Sequence, residues 1–425
     1  MTAYWAPHAW LPTGPADDVL ITVSDGVFAS VTPGADPGTA TRLPGLVLPG
    51  FANAHSHAFH RALRGRTHDG GGTFWTWREA MYAVASSLDP DRYFALARAA
   101  YAEMALAGVT SVGEFHYLHH APRGIRYANP NAMGDALRAA AAEAGVRLTL
   151  LDTCYLRGGI GQELSEPQLR FSDGSVEAWA SRVGELRSGP GFLVGAAIHS
   201  VRAVLPSDLP VVGAFDGPVH AHVSEQPLEN SACVEAYGRT PVELLSDAGV
   251  LGPRFTAVHA THLTPTDITL LGGSGVCMCP TTEADLADGI GPARALADAG
   301  ASLSLGSDQH AVVDPLLEAR ALEHGERLAT GQRGRFTPAE LVDALTNHHA
   351  LGWSAGRIEP GAPADLVAVR LDTPRTAGCR PGQAILAATA SDVDTVIRDG
   401  SVVVSGGQHI LGDVAALLTT AIGAL

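Results

Sequence analysis

Asn53-Ala54-His55-Ser56-His57 ends an apolar stretch that begins at Val47, and this segment decides the fold. Alternate side chains of a strand share a face, so its two histidines are offered to the same point. Three later apolar runs each end near one residue of a type that binds metals: His222, His259 and Asp308. The pattern therefore predicts that several strand ends meet at one polar site.

Eight short apolar runs recur along the chain, each followed by a polar or glycine-rich turn and an alanine-rich and leucine-rich helical pattern. The predicted strands are Val47–His55, Val109–Tyr117, Arg147–Tyr155, Phe192–Ser200, Pro218–Gln226, Phe255–Leu263, Gly275–Glu283 and Ser302–Gln309. Continuously apolar strands that alternate with helices, such as Tyr93–Ala107 and Asn131–Ala144, are typical of a parallel sheet covered on both faces. Eight such units predict an α/β fold, a (β/α)8 TIM barrel of about 260 residues.

The two ends of the chain have a different pattern, with short alternating segments and tight turns. Strand-like stretches near the C-terminus include Ala364–Val369 and Val393–Val404. We expect residues 1–46 and residues 353–425 to pair into one small β-sandwich-like domain. The barrel, residues 47–352, would interrupt that domain.

Composition limits the class of protein. The chain has 425 residues, 46% hydrophobic and 17% charged, which suits one large domain and a smaller one. A formal net charge of −16 disfavours nucleic acid and anionic membranes as partners. We see neither a membrane span nor a signal peptide. Five scattered cysteines fit a reducing compartment, so we expect a cytoplasmic protein.

The sequence also contains two closely spaced cysteines and a C-terminal tail with an apolar side. Cys277-Met278-Cys279 lies in an apolar run without a second cysteine pair, so a buried strand is favoured over a pair of metal ligands. The tail Asp413–Leu425 has a helical pattern with one apolar side. We interpret that side as a subunit contact and expect a homodimer.

The candidate metal ligands fall at the carboxyl ends of predicted strands, where (β/α)8 enzymes build their sites. The predicted ligand set is His55, His57, His222 and Asp308. Three imidazoles and one carboxylate leave a coordination position for water, as a catalytic centre requires. A water on Zn²⁺ in a protein site can have a pKa near 7, against about 9 on aqueous zinc, so we expect Zn²⁺, while Fe²⁺ and Mn²⁺ also suit these ligands.

Three residues near these ligands are predicted to be catalytic. Glu225 follows His222 by three residues, and we expect it to move a proton between the attacking water and a substrate nitrogen. A solvated loop glutamate is the alternative interpretation. His259 is expected to donate to the water or to the developing charge, with His262 as a competitor farther past the strand. Asp308 is expected to approach the metal and also to take the water's proton.

The whole chain resembles the deaminase branch of the amidohydrolase superfamily, and within it the formimidoylglutamate deiminases. The resemblance rests on Leu48-Pro49-Gly50-Phe51-Ala52-Asn53-Ala54-His55-Ser56-His57-Ala58-Phe59, Trp77-Arg78-Glu79-Ala80-Met81-Tyr82, Glu114-Phe115-His116-Tyr117-Leu118-His119-His120, His222-Val223-Ser224-Glu225-Gln226, Val258-His259-Ala260-Thr261-His262 and Ser307-Asp308. His-x-His and Ser-Asp mark only the superfamily, whereas the second and third segments are far more restrictive. The resemblance implies hydrolysis of N-formimidoyl-L-glutamate to N-formyl-L-glutamate and ammonia in histidine degradation.

The resemblance also bears on the number of metal ions. In part of the superfamily, a carboxylated lysine bridges two metals. All 28 basic residues of this chain are arginine, so it cannot make that bridge. We therefore expect one metal ion per subunit.

A glutamate derivative carries two carboxylates, which the planar forks of arginine bind well. The resemblance implies that Arg78 with Tyr117 holds one carboxylate of this small-molecule substrate and that His199 with Arg202 holds the other. Which carboxylate goes to which pair stays open. His60 stands where the family has glutamine, and we expect it to contact the substrate too. Four more histidines crowd the region and are interpreted as supporting polar residues: His116, His119, His120 and His310.

Three alternative functions stay open. Another deaminase of the branch would act on a purine, a pyrimidine or an adenosine derivative, which calls for amide and stacking contacts rather than two arginines. An amide or ester hydrolase with the same metal would release a carboxylate without ammonia. A barrel that only binds or assembles should have lost its ligands, yet the full set is present.

Overall fold

The computed structural model describes residues 1–68 and 74–425, without the side chains of residues 74 and 75. Its N-terminal part contains five strands: β1 Thr2–Leu11, β2 Gly14–Ser24, β3 Val27–Thr32, β4 Thr41–Arg42 and β5 Leu46–Pro49. β1 and β2 form an antiparallel hairpin. Val19, Ile21 and Val23 of β2 are buried while their neighbours are more exposed, as expected of a strand with one covered face.

Eight parallel strands form a second sheet and pair in chain order. They are β6 Phe51–Ser56, β7 Val109–His116, β8 Arg147–Cys154, β9 Phe192–Ile198, β10 Val219–Val223, β11 Phe255–His259, β12 Gly275–Met278 and β13 Ser302–Leu305. A bridge between Ser56 and Asp308 joins the first strand to the segment after the last. The predicted fold class, a (β/α)8 barrel, is confirmed.

The C-terminal part returns to the first sheet with four strands: β14 Leu366–Val369, β15 Val393–Arg398, β16 Ser401–Ser405 and β17 Gln408–His409. β14 pairs antiparallel with β5, so both ends of the chain share one mixed sheet. Its strand order is β17-β16-β15-β14-β5-β1-β2-β3, with β4 beside β1. The domain limits 1–46, 47–352 and 353–425 remain a proposal.

Helices follow the barrel strands along the chain, and most of them connect one strand to the next. They are α1 Phe74–Ser87, α2 Pro90–Leu106, α3 Ala132–Ala144, α4 Val176–Val183, α5 Leu209–Gly213, α6 Pro227–Tyr237, α7 Pro241–Asp247, α8 Pro265–Leu270, α9 Pro280–Asp285, α10 Ala293–Asp298, α11 Pro315–Thr330, α12 Pro338–Leu345 and α13 Val414–Gly423. Short 3-10 helices occupy Ala58–Leu63, Pro122–Gly124, Glu166–Phe171, His348–Leu351, Pro381–Leu386 and Ala390–Asp392. Among the residues the structure describes, no helix has the length and apolar character to cross a membrane.

The predicted strand Val47–His55 is corrected, because the chain changes sheets at Gly50. Residues before it belong to β5 and residues after it belong to β6. Gly50 donates its N–H to Asp365 O over 3.1 Å. A Cβ at position 50 would lie 2.3 Å from Thr110 Oγ1, so a side chain would not fit without a shift.

The predicted strands also extend too far at their carboxyl ends. β10 ends at Val223 rather than Gln226, and β12 ends at Met278 rather than Glu283. Pro280, which lacks a backbone N–H, begins α9 directly after β12. The polar residues of the predicted site therefore lie at strand ends and on the short loops that follow them.

The C-terminal helix α13 packs against α2 of the same chain. Val414, Leu418 and Ala421 on its apolar side are buried there. The chain itself thus covers the face that we interpreted as a subunit contact. Cys277 and Cys279 are buried free thiols, as expected of an apolar strand and its end.

Candidate active site

The four predicted metal ligands converge at the carboxyl end of the barrel. His55 lies in β6 and His57 directly follows it, His222 lies in β10 and Asp308 follows β13. One ligand atom of each lies within 4.8 Å of the others. His55 Nε2 lies 3.2 Å from Asp308 Oδ1 and 3.2 Å from His222 Nε2, and His57 Nε2 lies 3.3 Å from Asp308 Oδ1.

The histidine rings are oriented by hydrogen bonds on their far sides. His57 Nδ1 donates to Phe115 O and His222 Nδ1 donates to His199 O, each over 2.9 Å. These bonds leave both Nε2 lone pairs facing the centre of the cluster. Burial lowers the pKa of His57 to about 3, so this imidazole is neutral. Converging lone pairs on neutral imidazoles beside a carboxylate fit a divalent cation.

Asp308 is held as an ionised carboxylate. Burial by itself would raise its pKa, but the hydrogen bond and charge of His55 hold the pKa well below the usual range. The preceding residue, Ser307, is fixed by Asn53, whose Nδ2 donates to Ser307 Oγ over 2.7 Å. Ser307 N donates back to Asn53 Oδ1 over 3.0 Å. The first and last strands therefore position this carboxylate together.

His259 and Glu225 lie next to the ligand cluster. His259 Nε2 is 3.7 Å from Glu225 Oε1 and 3.8 Å from Asp308 Oδ2, and its Nδ1 is 3.4 Å from Glu283 Oε1. Burial by itself would lower the pKa of His259, but the three carboxylates, Glu225 foremost, raise it to about 10. The ring therefore carries a proton on each nitrogen and can donate. His262, the competitor, instead donates from Nε2 to Asp288 O over 2.7 Å.

Unusual backbone conformations concentrate at this face. Five non-glycine residues of the site and its loops have φ between 39° and 69°: Ser224, His259, Ala260, Asp308 and His310. L-residues rarely adopt this region, and such conformations persist only where surrounding contacts impose them. The hydrogen bonds around Asp308 supply part of that constraint.

A cavity opens beside the ligand cluster, with aromatic side chains on one wall. Its lining comprises His57, His60, Trp77, Arg78, Met81, Tyr82, Tyr117, Tyr155, Phe171, His199, His222, Glu225, His259, Leu286 and Asp308. Four of the five predicted substrate-binding residues, namely His60, Arg78, Tyr117 and His199, belong to this set. The fifth, Arg202, lies behind Glu225, with Nη2 3.6 Å from Glu225 Oε2.

The other crowded histidines have separate environments. His310 Nε2 lies 2.9 Å from Ser56 Oγ and supports the segment between His55 and His57. His116 and His119 form another group with Asp152. Arg182 Nη2 lies 2.7 Å from Asp152 Oδ1, and this resident positive charge opposes a cation there. His120 Nε2 bonds Asp173 Oδ1 over 3.0 Å beside that group.

Three residues near the ligands had no predicted role, besides five others that line the cavity: Trp77, Met81, Tyr82, Phe171 and Leu286. Glu283 faces His259, Tyr155 lines the cavity, and Glu114 accepts from Ser56 Oγ over 2.8 Å. Burial raises the pKa of Glu114 to about 8. Glu283 and Tyr155 come just after β12 and β8, so their place after a strand was the available signal. Glu114 lies inside an apolar strand, where such a signal was lacking.

A closed (β/α)8 barrel with this ligand cluster at its carboxyl end defines a metal-dependent hydrolase. The chain belongs to the amidohydrolase family, which matches residues 46–403. Residues 1–44 match the N-terminal domain of formimidoylglutamate deiminase HutF. These matches confirm the resemblance found in the sequence, including that of the β-rich N-terminus.

Known proteins similar to the chain include an enzyme and two solved structures. Formimidoylglutamate deiminase of Pseudomonas aeruginosa is 38% identical over 436 residues, which cover 96% of each chain. An amidohydrolase from Brucella melitensis has 33% identity and a TM-score of 0.89, covering 100% of this chain and 99% of its own. An adenosine deaminase from Xanthomonas campestris with bound zinc has 26% identity and a TM-score of 0.86, covering 100% and 97%.

Proposed function

We propose that this protein hydrolyses N-formimidoyl-L-glutamate to N-formyl-L-glutamate and ammonia. The observation that carries the proposal is the pairing of the cluster His55, His57, His222 and Asp308 with two arginines. Arg78 lines the cavity beside the cluster, and Arg202 lies 3.6 Å from Glu225, which is itself part of the lining. A deiminase acting on a dicarboxylate needs both features, and the 38% identity to formimidoylglutamate deiminase supports the same substrate.

We propose one Zn²⁺ per subunit, held by His55, His57, His222 and Asp308. Support comes from the neutral, inward-facing imidazoles and from the zinc in the Xanthomonas campestris neighbour. When bound, the ion would polarise a water and make hydroxide available near neutral pH. Fe²⁺ and Mn²⁺ remain alternatives that the same ligands accept.

The proton transfers are assigned to the chain's own carboxylates. Glu225 takes a proton from the attacking water and delivers it to the formimidoyl nitrogen, with Asp308 as a second acceptor. The water oxygen bonds to the formimidoyl carbon, and the carbon–nitrogen double bond becomes single. The second proton of the water then passes through Glu225 to the same terminal nitrogen, the bond from carbon to that nitrogen breaks, and ammonia leaves as the formyl C=O forms. His259 stabilises the developing charge, because its Nε2 lies beside Glu225 and Asp308 and carries a proton that it can donate.

The two substrate carboxylates are assigned to the cavity wall. We propose that Arg78 with Tyr117 binds one and that His199 with Arg202 binds the other. His60 Nε2 lies 2.9 Å from Tyr117 OH, so it orients this hydroxyl and contacts the same end of the substrate. Two charge-assisted contacts at opposite ends would fix the formimidoyl carbon beside the metal cluster.

The test is an ammonia assay of the purified, zinc-loaded protein with N-formimidoyl-L-glutamate, with N-formyl-L-glutamate identified by mass spectrometry. Adenosine, guanine and cytosine form the comparison panel, because the Xanthomonas campestris neighbour is an adenosine deaminase. Ammonia released from the dicarboxylate but not from the panel supports the proposal. Faster release from any of the bases would transfer the assignment to the rival deaminase.

Three further expectations concern the compartment, the oligomeric state and the partners of the protein. We expect a cytoplasmic homodimer that binds neither nucleic acid nor membranes. Sedimentation at several protein concentrations would test the oligomeric state.

A further inference from the structure

Arg202 lies between two carboxylates that belong to neighbouring segments. Its Nη2 is 3.6 Å from Glu225 Oε2, and its Nε is 3.7 Å from Glu229 Oε1. Arg202 Nε and Glu229 Oε1 are both buried without a hydrogen-bond partner. Two unsatisfied groups of opposite charge thus face each other just beyond hydrogen-bond distance.

Glu229 is well placed to act on Arg202, because its other oxygen is already anchored. The residue is 3% exposed and occupies the first turn of α6. Its Oε2 accepts from the backbone N–H of Glu225 over 3.3 Å, as a glutamate in a helix's first turn commonly does for the preceding loop. One oxygen therefore holds the loop that carries Glu225, and the other faces the guanidinium.

The electrostatic balance also favours Glu229 as the principal partner. Burial by itself would lower the pKa of Arg202, but Glu229 and then Glu225 raise it. For Glu229, burial raises the pKa by more than the positive charge of Arg202 lowers it, so its pKa is raised. The glutamate is therefore only partly compensated, which agrees with a separation of 3.7 Å rather than a close hydrogen bond.

A close pair between Arg202 and Glu225 would harm the proposed reaction in two ways. It would engage Glu225 Oε2 in a charge-assisted hydrogen bond, so that this oxygen could not accept from the attacking water. It would also occupy the two Nη groups that bind a substrate carboxylate bidentately. A second carboxylate on the Nε side of the guanidinium would prevent both effects.

We propose that Glu229 is a positioning residue that attracts Arg202 on its Nε side and so keeps Nη2 from closing the 3.6 Å gap to Glu225. The Nη groups are then presented to a substrate carboxylate, and Glu225 stays available for proton transfer. Glu229 itself touches neither the substrate nor the metal ligands. This inference rests on the proposed function and deepens it by naming what orients one of its two arginines.

Glu229→Gln separates this role from helix capping. Glutamine keeps an oxygen that accepts from Glu225 N–H, but it loses the negative charge that attracts Arg202. The expected result is a rise in KM for N-formimidoyl-L-glutamate together with a fall in kcat, so that kcat/KM drops by about tenfold or more. Metal content and melting temperature should stay close to those of the unmodified protein.

Glu243→Gln is the matched control for capping. Glu243 occupies the same position in α7, where its Oε2 accepts from Thr240 N over 2.9 Å. It does not line the cavity or pair with Arg202 in the part of the chain that the structure describes. Its substitution should leave kcat and KM unchanged.

The decisive measurement is a double-mutant cycle of Glu229→Gln and Arg202→Met, in kcat/KM and in calorimetric affinity for N-formyl-L-glutamate. If Glu229 acts through Arg202, its substitution should have little further effect once Arg202 is methionine. Equal losses with and without Arg202, or no loss from Glu229→Gln, would overturn the inference.

The same set of proteins separates the two proposals. If the unmodified protein releases no ammonia from N-formimidoyl-L-glutamate, the proposed function fails, and the binding cycle still decides the role of Glu229. If the unmodified protein does not bind N-formyl-L-glutamate either, both proposals fall.

Discussion

His57 donates its backbone N–H to Asp308 O over 3.1 Å, so the first metal-ligand segment and the last are hydrogen-bonded to each other. Asp308 N returns a bond to His55 O over 3.0 Å. The pair of bonds closes the barrel between its first strand and the segment after its last. The hydrogen bonds that close the barrel therefore also hold the first and last ligand segments together.

Gly306→Ala should damage both closure and metal binding. A Cβ at position 306 would lie 2.8 Å from His55 Cβ and 2.9 Å from the backbone oxygen of His55, and neither atom is the free end of a flexible side chain. We expect a loss of about 1–3 kcal/mol in the free energy of unfolding and weaker zinc retention. Urea unfolding and metal analysis would measure these, with Gly423→Ala as control because open space surrounds that position. Equal stability of the two variants would contradict the packing argument.

Glu225→Gln should abolish proton transfer while leaving the metal in place. Its carboxylate is not a member of the ligand cluster, whereas it faces His259 and the cavity. General acid–base catalysis contributes about 10²- to 10⁴-fold, so kcat should fall by that factor. Ammonia release and zinc content would be measured beside Glu235→Gln, an exposed position on α6. A kcat near that of the unmodified protein would remove Glu225 from the mechanism.

Arg78→Met and Arg202→Met should each raise KM strongly. Leaving a desolvated charge without its partner costs about 2–5 kcal/mol, which corresponds to tens- to thousands-fold in affinity. An analogue that lacks one of the two carboxylates should show a smaller loss with one of the variants, which would reveal the carboxylate each arginine binds. Arg333→Met, at an exposed position, is the control. Unchanged KM in both cavity variants would refute the dicarboxylate assignment.

Glu318 should make the protein less stable as pH rises. Burial raises its pKa to about 8 from the ordinary value of 4.5, and Thr281 donates to both of its oxygens. Between those pH values the folded state holds a proton that the unfolded state has released, so the free energy of unfolding falls with increasing pH.

Glu318→Gln mimics the protonated acid and should flatten this pH dependence between about pH 5 and pH 8. Urea unfolding at several pH values would show the change, with Glu185→Gln as an exposed control. A slope as steep as that of the unmodified protein would show that another group is responsible.

The barrel was predictable because its strands are buried on both faces and carry their polar residues at one end. That arrangement leaves a local pattern of apolar runs, several of which end at a histidine or an aspartate, and the pattern located His55, His57, His222 and Asp308. Strand limits were less predictable, since they depend on contacts with distant residues. Gly50 is the clearest case, because the chain passes from one sheet to the other there. Its N–H donates to Asp365 O, and Thr110 leaves no room for a side chain.

Contacts between side chains from distant parts of the chain were even harder to predict from the sequence. Nothing in the residues around Glu229 or Glu283 reveals that one faces Arg202 and the other faces His259. Arg202 was expected at the substrate, yet its guanidinium lies behind Glu225, between two carboxylates. Such relations depend on how neighbouring loops approach one another once the barrel has closed.

By itself, the sequence determined the alternation of strands and helices, the order of the ligand residues and the absence of any lysine that could bridge two metals. Only the tertiary structure decided which charges are close enough to compete, and which ring carries a proton. The reason is physical: periodicity and residue type act over a few neighbours along the chain. The strength of an interaction between charges, or of a hydrogen bond, depends on distance and burial in three dimensions.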